Sequence, residues 1–202
     1  ELMRNFAMPL FATNIADFWR RWHISLSSWM MDYLYTPLSF LLRDRGRVGA
    51  VLAISVTFLT VGIWHGANWT FVLFGLLQSL YFLPPTLAPK GIDRSAATGP
   101  GSSTVQFLKM IGMFVLMGLT FVLLRADNVH QAIGIWARIF SPSLFQGLDD
   151  TLRDPKTLLV LILIFGIVEW LGRRGSYAIE RLGMNWPRPV RWATYWALGM
   201  SV

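Results

Sequence analysis

Of the three histidines in the chain, one stands where an imidazole is least expected. His65 lies at the polar centre of the long apolar stretch Val48–Pro85, in the order Trp-His-Gly-Ala-Asn-Trp. An ionisable side chain inside a membrane is costly and usually faces protein or water, so it marks a candidate functional site. A neutral imidazole there can act as a general base toward a hydroxyl group. A histidine that only hydrogen-bonds between helices is the alternative interpretation.

The neighbours of His65 extend the candidate site. Gly66 allows another part of the backbone to come close, and Trp64 and Trp69 can form the walls of a pocket. Asn68 can orient the imidazole through a hydrogen bond. We therefore predict that Trp64 and Asn68 bind substrate beside His65.

A second histidine, His23, lies in a segment predicted to form one amphipathic helix, Ile15–Tyr35. Asn14 is suited to cap its first turn, and Pro37 is expected to end it. We expect this helix at the membrane interface, or inside the protein with its polar side on a cavity. His23 stands at the border between two faces: an aromatic one with Phe18, Trp19, Trp22, Leu26, Trp29 and Tyr33, and a polar one with Arg21, Ser25, Ser28 and Asp32.

Four further residues of this helix are candidate substrate-binding residues: Arg20, Arg21, Trp29 and Asp32. The two arginines can bind an anionic donor, or they can anchor the helix at lipid headgroups. Packing explains the tryptophans of the helix equally well.

The pattern of ligand-type residues does not predict a metal site. Metal sites usually need three or four ligands, and the third histidine, His130, has no Asp or Glu at ligand spacing. The sequence contains no cysteine, which excludes disulfides and thiolate chemistry. It also contains neither a Walker-type phosphate loop nor a G-x-S-x-G serine elbow.

Composition indicates an integral membrane protein. The chain is 54% hydrophobic and only 14% charged, whereas soluble domains have about 25% charged residues. A net charge of +7 could suggest nucleic acid, but the basic residues flank apolar segments. Lipid headgroups and membrane topology explain that placement better. We therefore predict membrane lipid as a partner and no nucleic acid.

The apolar segments predict an all-α, multi-pass fold. The two arms around His65, Val48–Trp64 and Trp69–Leu83, are each shorter than about 20 residues, too short for the roughly 30 Å hydrocarbon core. We expect a hairpin that turns within the membrane, or a locally thinned bilayer. Further spans are predicted at Val105–Leu124 and Thr157–Leu171. Between them, a short helix capped by Asp127 or Asn128 is predicted to place Val129, Ile133, Trp136 and Phe140 on one face.

Loop charge predicts the orientation. Residues 43–47, 84–103 and 172–191 carry net positive charge, whereas 125–156 is neutral. If each apolar segment crosses, the basic loops share one side, which the positive-inside rule makes cytoplasmic. The chain starts without Met and stops inside an apolar run, so we expect one partial membrane domain, 1–202, incomplete at both ends.

Two segments together resemble the signatures of bacterial membrane-bound O-acyltransferases. Asp17–Trp29 reads DFWRRWHISLSSW and is followed by DYLYTPL, and Gly62–Gly75 reads GIWHGANWTFVLFG. Leu124–Asp127, LRAD, resembles a third, short motif. The branch that these segments resemble most is the alginate O-acetyltransferase membrane protein; the teichoic acid D-alanine exporter is more distant. The sequence departs from that branch in lacking its glycine-rich stretch after Pro37 and in having Phe74 where Trp is common.

The resemblance implies a bundle of transmembrane and interfacial or re-entrant helices in the bacterial inner membrane. It implies that His65 is the catalytic histidine and His23 the second active-site residue. It further implies transfer of acetyl from acetyl-CoA or another acyl thioester, with no bound cofactor. The acceptor would be a hydroxyl of an extracytoplasmic polysaccharide, or a periplasmic acyltransferase that completes the transfer.

Two other functions stay open on the sequence alone. The histidines could line the path of a channel or transport subunit, although the spans lack the chain of acidic residues that proton relays use. The chain could also be a structural or assembly component of an exopolysaccharide complex.

Overall fold

The computed structural model describes residues 3–88, 103–142, 155–172 and 186–200. Every regular element in these ranges is helical, which confirms the predicted all-α class. Most of the predicted loops 84–103, 144–156 and 172–191 lies outside the described residues. The chain divides into two compact units, residues 1–151 and 152–202.

The first unit holds seven α-helices among its described residues. A 3-10 turn, Pro9–Phe11, precedes the first, a π-helical segment, Met31–Tyr35, follows the second, and another 3-10 turn, Arg43–Arg45, precedes the fourth. In chain order the helices are α1 (Ile15–Arg21), α2 (Ile24–Met30), α3 (Thr36–Leu41), α4 (Gly46–His65), α5 (Trp69–Leu87), α6 (Ser103–Arg125) and α7 (Val129–Ile139).

The predicted single helix Ile15–Tyr35 is wrong, because the structure breaks it at His23. Asn14 caps α1 as expected, accepting the Asp17 N–H at 2.8 Å. The helix then ends at Arg21, and a new helix begins at Ile24. The break divides the predicted aromatic face: Phe18 is buried, whereas Trp29 and Tyr33 are exposed. Helical periodicity in a sequence cannot show one residue whose backbone leaves the helical conformation.

The expectation that Pro37 ends this region is also wrong. The π-helical segment leads directly into α3, with right-handed helical backbone at Tyr35 and Thr36. Pro37 falls in the first turn of α3 and has no N–H to donate, yet the backbone is helical on both sides of it. The proline therefore does not stop the helical backbone here.

The two helices that flank the His65 turn are longer than the apolar arms predicted. α4 has 20 residues and α5 has 19, which gives lengths of about 30 Å and 28 Å. Both helices are long and apolar enough to cross a membrane, so the prediction of arms too short for the bilayer is wrong. α4 starts before the apolar run, at Gly46, and α5 continues through Pro84 and Pro85 to its last turn.

α4 and α5 pack closely at two glycines. A Cβ at Gly62 would overlap the carbonyl oxygen of Phe71, and a Cβ at Gly75 would overlap that of Phe58. Small residues at such crossings let two helix backbones touch, which is how membrane helices gain packing contacts. The pair therefore forms a tight antiparallel hairpin with His65 at its turn.

α6 and α7 complete the first unit. α6 contains the predicted span Val105–Leu124, and Asn128, one of the two predicted caps, accepts the Gln131 N–H at 2.9 Å at the start of α7. The buried face of α7 differs from the prediction, because Ile133 and Phe140 are exposed. Trp136 of the predicted face does pack inward, together with Ala132 and Ile135.

Three of the described helices, α4, α5 and α6, are long and apolar enough to cross a membrane. This confirms the predicted multi-pass membrane protein. Two clusters of buried side chains join them to the N-terminal segments. One contains Met30, Val61, Phe74, Leu123, Ala126 and Ala132. The other contains Ala12, Ile15, Phe18, Met113 and Met117.

The second unit contains two described helices. α8 (Pro155–Gly172) includes the predicted span Thr157–Leu171, and α9 is Arg188–Met200. Residues Val160–Gly172 of α8 form a short apolar helix.

Candidate functional site

His65 is the last residue of α4, and the helix ends there because of Gly66. The Gly66 backbone has φ 154° and ψ 162°, a region that only glycine adopts readily. A Cβ at this position would stand 2.5 Å from Cε2 of Phe71. The sequence therefore needs glycine after His65, both for its dihedral angles and for its lack of a side chain.

The imidazole of His65 lies against an aromatic wall formed by Trp64, Phe71 and Phe74. The ring centroids are 4.9 Å away for Trp64, 6.2 Å for Phe71 and 6.0 Å for Phe74. Phe74 is 1% exposed and anchors the wall in the core. The rest of the imidazole is exposed in the described part of the chain, so the ring is held on one side and open on another.

His23 occupies the break between α1 and α2 in a left-handed conformation, φ 46° and ψ 54°. Such a backbone costs an L-residue about 1–2 kcal/mol, and strained residues of this kind concentrate at functional sites. Its imidazole packs edge-on against Trp64, with 6.3 Å between centroids and 79° between ring planes. The Nδ1 atom is buried and has no hydrogen-bond partner among the described residues.

Trp64 brings the two histidines together. The indole lies 6.3 Å from the His23 ring and 4.9 Å from the His65 ring. The distance between the two imidazole centroids therefore cannot exceed the sum of these two distances. A separation beyond about 15 Å would have prevented one substrate from contacting both. Residues far apart in the sequence therefore meet at one end of the α4–α5 hairpin.

Asn68 holds the turn that follows His65. Its side-chain oxygen accepts the Thr70 N–H at 3.3 Å and caps α5. Its amide nitrogen donates to the carbonyl oxygen of Asp127 at 2.7 Å. The hydrogen bonds of this side chain tie the His65 turn to the junction between α6 and α7.

The sequence model of MBOAT, the membrane-bound O-acyltransferase family, matches residues 3–124. That match covers more than half of the chain and includes both histidines and the turn between α4 and α5. The chain belongs to this family. The family predicted from the two signature segments is therefore confirmed.

Three curated relatives with different acceptors in their names are similar to this chain. The probable alginate O-acetylase AlgI of Azotobacter vinelandii is 31% identical over 181 residues, 88% of this chain and 34% of the relative. The peptidoglycan O-acetyltransferase of Helicobacter pylori is 34% identical over 138 residues, 67% of this chain and 24% of the relative. The teichoic acid D-alanyltransferase of Bacillus subtilis is 33% identical over 81 residues, 38% of this chain and 20% of the relative. The chain thus spans about a third of the length of these relatives, or less.

The predicted substrate-binding arginines of this family member contact Asp17. Arg21 Nε donates to Asp17 Oδ1 at 2.9 Å, and Arg21 Nη1 donates to the carbonyl oxygen of Ala7 at 3.4 Å. Arg20 lies 3.6 Å from the same carboxylate with a side chain that is 73% exposed. Arg21 therefore helps to hold α1 to the N-terminal segment, and Arg20 is open to an anion or to lipid headgroups.

Trp29 and Asp32 follow His23 along the chain, on α2 and on the π-helical segment. The Trp29 indole is exposed and packs on Tyr33 at 5.4 Å. Asp32 is exposed on the π-helical segment. Within the described ranges, the contacts found for these two side chains do not reach either histidine, and substrate binding by them stays a prediction.

Sequence reasoning missed three residues that shape the site: Phe71, Phe74 and Asn5. The two phenylalanines are three positions apart, so they share a face of α5, and that spacing could have identified the wall. Asn5 contacts the backbone on the C-terminal side of His23. No sequence signal connects it with that histidine. In the described part of the chain, no three His, Asp or Glu side chains group as metal ligands would.

Proposed function

We propose that this chain is the catalytic part of an O-acyltransferase that moves acetyl groups to hydroxyls of a polysaccharide outside the cytoplasmic membrane. The observation that carries the proposal is the meeting of His65 and His23 on the Trp64 indole. Two imidazoles beside an aromatic wall can serve an acyl transfer, which needs one group to take a proton and another to stabilise the carbonyl.

In the proposed reaction, His65 removes the proton from the acceptor hydroxyl. The hydroxyl oxygen attacks the carbonyl carbon of an acyl thioester, acetyl-CoA or a similar donor. A carbon–oxygen bond forms, the carbon–sulfur bond breaks, and the proton leaves with the departing thiol. The buried Nδ1 of His23 has no hydrogen-bond partner within the described ranges, which suits it to orient the donor or to polarise its carbonyl. Asn68 supports the step by fixing the turn that carries His65.

The names of the relatives support a polymer as the acceptor. They pair acetyl transfer with alginate and with peptidoglycan, and alanyl transfer with teichoic acid. We propose an alginate-like exopolysaccharide for this chain, reached directly or through a periplasmic acyltransferase that completes the transfer.

We further propose the bacterial inner membrane as the location. If α4, α5 and α6 each cross, the turn at residues 66–68 and the junction at 126–128 lie on the same membrane side. The hydrogen bond from Asn68 to Asp127 agrees with that arrangement. The basic segment 43–47 then lies on the other side, which the positive-inside rule makes cytoplasmic. The histidine pair would therefore face the polymer side.

Replacement of His65 tests the proposal. Membranes carrying His65→Ala should transfer labelled acetyl from acetyl-CoA to polymer about 10²–10⁴-fold more slowly, because general base catalysis contributes about that much. The matched control is His130→Ala, since His130 is exposed on α7 and should leave the rate unchanged.

A His65→Ala protein that inserts normally and still supports full acetylation would contradict the assignment. Vesicles that take up a solute through the chain, with no labelled product from the wild type, would favour the channel function instead.

A further inference from the structure

His23 stands at the position that normally caps a helix, yet it does not cap α2. The N-cap residue usually uses a side-chain oxygen to accept the first free backbone N–H groups. No such bond comes from His23. The imidazole points to Trp64 instead, so another group must satisfy the start of α2.

Asn5 supplies that cap from 18 positions earlier in the chain. Its carbonyl oxygen accepts the Ile24 N–H at 3.0 Å. Its side-chain oxygen accepts the Ser25 N–H at 3.0 Å and the Ser25 hydroxyl at 2.6 Å. All three bonds use Asn5 as the acceptor, and two of the three donors are N–H groups of the first turn of α2.

The same segment also holds the other side of the break. The Ala7 N–H donates to the carbonyl oxygen of Arg21 at 2.8 Å, and Phe6 packs edge-on against Trp22 at 5.0 Å. His23 is therefore bracketed by contacts from a single stretch, Asn5–Ala7.

We infer that Asn5 is a positioning residue that caps α2 in place of His23 and so frees the imidazole to meet His65 at Trp64. This inference rests on the proposed acyl transfer for its kinetic readout. The structural part, that Asn5 sets the surroundings of the His23 ring, stands independently of that function.

The side-chain oxygen of Asn5 can be removed and restored by substitution. Asn5→Ala removes the side-chain acceptor but keeps the backbone bond to Ile24, so the protein should still insert. Asn5→Asp keeps an acceptor oxygen and adds a negative charge, which is favourable at a helix N-terminus. Ser25→Ala removes only the hydroxyl bond. Ser28→Ala, exposed on the same helix, is the matched control.

Kinetics with labelled acetyl-CoA in membranes should separate these variants. Asn5→Ala should lower kcat by about tenfold to a hundredfold with little change in KM, as expected for misplacement of a catalytic group. Asn5→Asp should recover most of kcat, Ser25→Ala should lie between, and Ser28→Ala should equal the wild type. A merely structural role would not produce recovery by Asp with unchanged KM.

Chemical modification gives a readout that needs no acyl transfer. Diethyl pyrocarbonate, mapped by mass spectrometry, should modify the His23 ring faster in Asn5→Ala than in the wild type, because the ring loses its packing. His130 reports the general reactivity of each sample. Modification of His23 in Asn5→Asp should match the wild type.

The outcomes distinguish this inference from the proposed function. Wild-type kcat and wild-type modification of His23 in Asn5→Ala would overturn it, as would an Asp variant as impaired as the Ala variant. If Asn5→Ala does not insert, the effect of Ser25→Ala on kcat and on His23 modification decides. If His65→Ala leaves acetylation intact while Asn5→Ala still changes His23 modification, the positioning role stands and the proposed function fails.

Discussion

His65 and His23 both stand at the end of a helix, but the residues that restrain their backbones lie at different distances along the chain. The His65 turn is fixed by its own neighbours, Gly66 and Asn68. The His23 break is contacted by Asn5 and has a left-handed backbone, which costs an L-residue about 1–2 kcal/mol. One half of the site is therefore determined locally, and the other half depends on contact with a separate segment.

The largest effect on stability and on acetyl transfer should come from a substitution in the turn after His65. Gly66→Ala puts a side chain into a backbone region that costs about 1–3 kcal/mol, and its Cβ would collide with the Phe71 ring. We expect a marked loss of thermal stability in detergent and little remaining acetyl transfer. Gly118→Ala is the control, because a Cβ at Gly118 on α6 meets nothing within 4 Å. Equal stability of the two variants would show that the turn is not locally fixed.

An intermediate effect should follow from loss of the Asn68 side chain. Asn68→Ala removes the cap of α5, worth about 1 kcal/mol, and the bond to the Asp127 carbonyl, worth about another. Asn128→Ala removes a comparable cap from α7 but leaves both hydrogen bonds of the Asn68 side chain in place. Both should lower the melting temperature, but only Asn68→Ala should lower acetyl transfer. Similar activity in the two variants would mean that the cap of α5 does not place His65.

The smallest effect on stability should come from the break at His23. There we expect one substitution, to glycine, to be more stable than another, to alanine. His23→Gly relieves a strain of about 1–2 kcal/mol, offset by about 0.5–1 kcal/mol for the greater freedom of glycine in the unfolded chain. His23→Ala removes the same imidazole and keeps the strain. We expect the Gly variant to melt above the Ala variant by the equivalent of about 1 kcal/mol, with acetyl transfer impaired in both. A Gly variant that melts below the Ala variant would show that the left-handed backbone carries no strain.

The same division between local and distant restraints explains what the sequence predicted. The hairpin around His65, its glycine turn and the Asn14 cap could be predicted, because short-range patterns determine them. The break at His23 could not be, since the aromatic residues keep helical spacing across it and Asn5 gives no sign of its role. The lengths of α4 and α5 were also predicted wrongly, because the apolar runs are shorter than the helices. α4 begins before its apolar run, at Gly46, and α5 continues through Pro84.

The meeting of the histidines could be predicted only from the resemblance to a family. Nothing in the spacing of His23 and His65 places their rings on one indole. Phe71 was detectable in principle from its position one turn into α5, on the face of Phe74. The ion pair between Arg21 and Asp17 was harder to predict from the sequence. An arginine that pairs with a residue four positions earlier on a helix and an arginine that binds a substrate anion have the same sequence pattern.

The close backbone packing of α4 and α5 at Gly62 and Gly75 has a consequence for the order in which the protein assembles. The two glycines are 13 positions apart, so the contacts that form the α4–α5 hairpin are local in sequence, and local contacts form fastest. The hairpin can thus pair in the bilayer as soon as both helices have been synthesised, with the His65 turn already in place. The His23 segment is made earlier, and its contacts with Asn5 are available from the start, but its ring can meet Trp64 only after the hairpin has formed. We therefore expect the histidine pair to be completed last, when the later-made hairpin meets the earlier-made segment.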